Sequence, residues 1–203
     1  MSKAFVAVVG ENQKEFMLHT NVASRSSGFF RAAMNNDWRE SQQNRVTLGE
    51  IEASEFERYL QWLSTHDHSF LDGISFRRLA KLYILGDFLD DSAFRTEMLK
   101  RFTSKAITTN TYPELDIITL VWDQTPEHSP LRKLIVETWT TSSIQRLAKQ
   151  FANQDHEVPK AFVVDCLYRI SETMPRAKES ILGDSRRRVL ESCRDEVLKE
   201  LGV

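Results

Sequence analysis

A chain of 203 residues suits one domain of ordinary size with a helical annex, or two small domains. At 41% hydrophobic residues it can build a core, and 27 Lys+Arg against 29 Asp+Glu leave a formal net charge of -2. Neither half is basic: residues 1–105 carry 14 cations and 14 anions, and residues 106–203 carry 13 and 15. That balance argues against nucleic acid as the main partner, because neutralising phosphates calls for a cationic excess. The basic run Arg186-Arg187-Arg188 reads as the solvated start of an amphipathic helix. No apolar run approaches the ~20 residues that a bilayer requires, so no membrane partner is expected. The N-terminal MSKAFVAVVGENQ is too short in its apolar stretch for a secretory signal. Cys166 and Cys193, without a disulfide framework, indicate free buried thiols and an intracellular location, cytoplasmic and/or nuclear.

The first elements are strands. Phe5–Val9 predicts one strand and Glu15–Leu18 its hairpin partner, with Gly10-Glu11-Asn12 in the turn. Phe16 and Leu18 alternate as on a half-buried strand, and the spacing then turns helical at Phe29, Phe30, Ala33 and Met34. A polar run follows, and Arg45-Val46-Thr47-Leu48 returns to strand alternation. Ser54-Glu55-Phe56-Glu57 reads as a capping box opening a helix with Phe56, Tyr59, Leu60 and Leu63 inward. After a loop at 66–73, Ser75 caps a helix whose apolar face is Phe76, Leu79, Ala80, Tyr83 and Leu85. Asp91 starts the next, with Phe94, Met98 and Phe102 four apart.

All five prolines lie after residue 112, so an α+β part gives way to a string of helices, with the seam at Thr108–Thr111. Thr111 and Glu114 read as a second capping box before Leu115, Ile118, Val121 and Trp122. Ser129-Pro130 opens a helix with Leu131, Leu134, Ile135 and Trp139. Ile144, Leu147, Ala148 and Phe151 stripe a short one. Pro159 opens another with Phe162, Val163, Cys166, Leu167 and Ile170, and Leu190, Cys193, Val197 and Leu201 stripe the last.

Read in order, the block 16–48 and the helix Phe56–Leu63 resemble the BTB/POZ fold, and look most like the single-domain BTB proteins of filamentous fungi. The pieces that carry the resemblance are Leu18-His19 closing a strand, Ser24-Arg25-Ser26-Ser27, the Phe29-Phe30 pair and the Arg45-Val46 strand. The resemblance implies an α+β BTB/POZ domain at 1–107, a small sheet with surrounding helices, followed by an all-helical C-terminal extension at 108–203. It implies a protein–protein interaction module. Family adaptors that recruit a cullin scaffold carry a hydrophobic-x-acidic motif in the loop after the Phe-Phe helix. Trp38-Arg39-Glu40 sits at that register, with Ser41 to Asn44 as spacer. An aromatic anchor offers large burial in a partner's groove and a nearby carboxylate adds a directional bond. The function this implies is substrate adaptor for a cullin-type E3 ubiquitin ligase, with a homo-oligomerising scaffold as the alternative.

Many BTB modules also pair through their first helices, which here places self-association on Val22, Phe29, Phe30 and Met34. The swapped form of that pairing is not expected. The chain starts within a few residues of its first strand, the family's acidic residue before that strand is Ala4, and the basic residue after the histidine is Thr20. A weaker, unswapped homodimer is expected instead. His19 reads as a structural hydrogen-bonding residue. His66-Asp67-His68 lacks nearby ligands to complete a tetrahedral site, so no metal is expected. Neither a nucleophile elbow nor a phosphate-cradling glycine loop occurs, so no catalytic residue, cofactor or enzyme activity is expected.

Overall fold

The computed structural model describes residues 4–34, 44–141 and 158–173. Strand β1 (Ala4–Val9) lies at the centre of a three-stranded sheet of order β2-β1-β3. Strand β2 (Lys14–His19) is antiparallel to it, with Phe5 opposite Leu18 and Ala7 opposite Phe16. Strand β3 (Arg45–Leu48) is parallel to β1, with Ala7 opposite Val46 and Val9 opposite Leu48. These paired residues share one face because side chains alternate along a strand, and that face meets the core. The hairpin turn needs Gly10: its φ is +74°, and a Cβ there would come within 3.2 Å of the Ile51 carbonyl oxygen.

Helices α1 (Thr20–Ser26) and α2 (Gly28–Ala33) follow β2 directly. Beyond β3 come α3 (Ala53–Ser64), a 3-10 turn at Ser69–Leu71, α4 (Phe76–Phe88) and α5 (Ser92–Thr109). Helix α6 (Leu115–Gln124) and helix α7 (Pro130–Thr140) come next. The Ser75 hydroxyl accepts from the Arg78 N–H and the Asp91 carboxylate from the Phe94 N–H, so both expected caps are present. Helix α4 is central, packed against α3, α5 and α6. Its buried set therefore extends beyond the expected stripe to Leu82 and Gly86. A Cβ on Gly86 would stand 2.9 Å from Cδ1 of Phe94, so this glycine lets α4 and α5 approach closely.

Two expected helix starts shift. Helix α3 begins at Ala53 with Glu52 as N-cap and no side-chain cap, so Ser54 is an exposed residue of the first turn. The Ile51 N–H donates to the Leu48 carbonyl at 3.3 Å, so the chain turns out of β3 and enters the helix early. Helix α6 begins at Leu115 with Glu114 as N-cap. Pro113 disfavours helical backbone at Tyr112, which blocks a start from Thr111.

An aromatic spine crosses the core. Phe5 meets Phe30 (ring centroids 5.3 Å apart), Phe30 meets Phe56 (6.4 Å), Phe56 meets Tyr59 (6.2 Å) and Tyr59 meets Phe94 (5.1 Å). The chain divides into two compact units, 1–135 and 136–203, and the division falls within α7; the stretch 108–111 lies inside the first unit. In the second unit, helix α8 (Lys160–Thr173) follows Pro159, and Phe162 packs edge-on against Trp139 at 5.7 Å. Glu137 and Arg169 pair at 2.7 Å. Cys166 is buried on α8, whereas Leu167 faces outward, against expectation. The expected helices around 144–151 and 190–201, and Cys193 with them, lie outside the described residues.

Candidate interaction surface

Sequence composition makes α1 and α2 too short to persist alone, so what holds them matters. Ser27 is fully buried between them, its hydroxyl donating to the Leu89 carbonyl and accepting from the Phe30 N–H at 3.1 Å. Backbone bonds continue the lock: the Gly28 N–H donates to the Asp90 carbonyl at 3.1 Å and the Phe29 N–H to the Leu89 carbonyl at 3.2 Å. A Cβ at Gly28 would lie 2.8 Å from Cγ and 3.1 Å from Cβ of Asp90, so that side chain would have to shift.

Asp91 completes the clamp. Its carboxylate is fully buried and accepts from the Ser26 hydroxyl (2.7 Å), the Tyr59 hydroxyl (3.0 Å) and the Phe94 N–H (3.0 Å). Burial, and then the charge of Asp91, push the Tyr59 phenol above its usual range, so it remains a donor. One carboxylate thereby ties α1, α3 and α5 together. The sequence marked Asp91 as a helix cap and the Ser24–Ser27 stretch as a recurring piece. That they meet is a tertiary fact with no local signal.

On this scaffold the expected self-association residues separate. Phe30 is fully buried in the aromatic spine of the single chain. The cause is helical phase: Phe29 and Phe30 are neighbours in sequence and point about 100° apart on the helix. Phe29 is half-buried and stacks at 5.2 Å on Phe88, which is 51% exposed. Val22 is 37% exposed and Met34 half-exposed. Phe88, at the end of α4, was outside the expected set, and its contiguity with Phe29 is what brings it in.

Trp38, Arg39 and Glu40 lie outside the described residues. They fall between Met34, the C-cap of α2, and Asn44, whose carbonyl accepts from the Val6 N–H at 2.9 Å. His19 is the exposed N-cap residue of α1, and its side chain makes no capping bond. The His68 ring stacks on Trp62 at 4.0 Å and its Nε2 meets the Thr65 carbonyl at 3.2 Å. Asp67 accepts from the Ser69 N–H, which holds its carboxyl below the usual range. Among the described residues no group of three or more His, Cys, Asp or Glu could hold a metal ion, and no helix is long and apolar enough to cross a membrane.

Hairpin, paired short helices, returning parallel strand and helical layer all fall, in whole or in part, within residues 5–101, the stretch that matches the family model of the BTB/POZ domain. A BTB/POZ domain is found at residues 5–101. The match ends inside α5. No curated protein matches the chain. A BTB/POZ domain is a protein–protein interaction module, so the chemistry to look for here is that of contact surfaces.

Proposed function

We propose that this protein is a binding module without enzymatic activity, a substrate adaptor for a cullin-type E3 ubiquitin-ligase scaffold. Trp38 and Glu40 face the scaffold, with Arg39 between them. The observation that carries this reading is the BTB/POZ domain itself, with Trp38-Arg39-Glu40 in the connection between α2 and β3. An aromatic anchor beside a carboxylate suits a groove rimmed by a basic or N–H donor. The region 108–203 is the part that would carry a substrate. The test is binding of the purified full-length protein to a purified cullin scaffold. Trp38→Ala with Glu40→Ala weakens binding and leaves thermal stability nearly unchanged; no binding by the intact protein overturns the reading.

A second reading, a homo-oligomerising scaffold, is favoured by the exposed Phe29–Phe88 pair. Here the protein is a weak homodimer at concentrations on the order of tens of micromolar, and Phe88→Ser dissociates it. Sedimentation of the wild type as a monomer in that range removes this reading.

A further inference from the structure

Glu55 stands apart from the clamp and from the Phe29–Phe88 surface. It lies in the first turn of α3, its side chain is 5% exposed, and its Oε2 is buried with no hydrogen-bond partner. Its Oε1 meets Nε of Arg78 on α4 at 3.3 Å, and Arg78 is 42% exposed. The pair is therefore dry on the carboxylate side and wet on the guanidinium side.

The charged groups that act on it are Arg78 and Lys81 from α4, Arg58 from α3 and Glu52 at the α3 N-cap. Lys81 is engaged by Glu52, and Arg58 donates to the Phe70 carbonyl at 3.2 Å. Arg78 alone is left in contact with Glu55. The start of α3 favours an anion, as helix N-termini do, but weakly. Against these stands the removal of a carboxylate from water with one oxygen unpaired, which a single water-screened ion pair does not offset.

We propose that Glu55 makes the seam between α3 and α4 a proton-operated device: neutral, it rests in the dry seam at low cost, and ionised, it loosens the packing of the module. Burial raises the Glu55 carboxyl above its ordinary 4.5, with Arg78 as the main opposing influence. The folded state thus holds this proton more tightly than the unfolded chain does. Stability from Glu55 is full below 4.5 and falls as pH rises through the raised folded value, the reverse of an ordinary salt-bridged carboxylate.

The experiment compares chemical denaturation of the full-length wild type, Glu55→Gln and the exposed control Glu11→Gln from about pH 4 to about pH 8, with a carboxyl NMR titration of the wild type. The unfolding constant of wild type relative to Glu55→Gln rises with pH, about tenfold for each pH unit by which the folded titration exceeds the unfolded one. Glu11→Gln shows no such trend, and the Glu55 carboxyl inflects above the exposed glutamates. Parallel pH profiles for wild type and Glu55→Gln overturn the proposal, as does an inflection at or below 4.5. Should Glu55→Gln fail to fold, the wild-type inflection decides alone.

Discussion

Replacing Asp91 with alanine removes three bonds at once from a fully buried position. Loss of the cap on α5 costs about 1 kcal/mol. The Tyr59 hydroxyl, left without its acceptor in the core, adds about 1–3 kcal/mol, and the half-buried Ser26 hydroxyl about 0.5–1 kcal/mol. Because these groups share one carboxylate their effects are not independent, and a total of about 3–5 kcal/mol is expected. The sharper readout is the double mutant. Tyr59→Phe alone removes one bond and leaves Asp91 with two donors, so it destabilises by about 1–2 kcal/mol. In the Asp91→Ala background the same change removes an orphaned hydroxyl and becomes neutral or stabilising. Urea denaturation of the four proteins, followed by circular dichroism, measures both effects. If Asp91→Ala costs less than about 1 kcal/mol, or if Tyr59→Phe costs the same in both backgrounds, the carboxylate is not the clamp described.

Two further outcomes follow from packing. Gly28→Ala drives a methyl group into Asp90 beside the α1–α2 lock and destabilises by about 1–3 kcal/mol in the same assay, whereas Gly73→Ala, open on all sides and costly only through its φ of +68°, loses less. Burial pushes the Cys166 thiol up to about 12, from an ordinary 9.0. The folded protein therefore holds that proton longer than the unfolded chain, and the contribution of Cys166 to stability is constant below 9.0 and declines as pH climbs toward 12. Alkylation at neutral pH, read by peptide mass mapping, leaves Cys166 unmodified until the protein is unfolded; rapid modification in the native state contradicts its burial.

What was legible in the sequence was local. Ser75 and Asp91 announced their helices because a side-chain cap acts within three residues. The period-2 pattern of Phe16 and Leu18 and the four-residue spacing of Phe94, Met98 and Phe102 reported their buried faces directly. What failed was set at a distance or by a neighbour of opposite effect. Ser54 looked like a cap, yet the turn out of β3 started the helix before it; Thr111 looked like one, yet Pro113 stood in the way. The parallel pairing of β3 with β1 is a long-range choice that no turn signal encodes. The burial of Asp91 and Glu55 had no local signal, because it depends on which other elements pack over each carboxylate. Of the candidate surface, Val22, Phe29, Phe30 and Met34 were readable as apolar, but the burial of Phe30 and the contact of Phe29 with Phe88 needed the packed helices.

On the proposed adaptor role, the chain holds a partner through the connection between α2 and β3. The most direct measurement is titration calorimetry of the full-length protein with a purified cullin scaffold, wild type against Trp38→Ala with Glu40→Ala. Saturable binding by the wild type is expected, with at least about a tenfold loss, roughly 1.4 kcal/mol, in the double mutant at unchanged thermal stability. Equal affinity of the two proteins, or no heat of binding from the wild type with the interaction also absent in a pull-down, would contradict it.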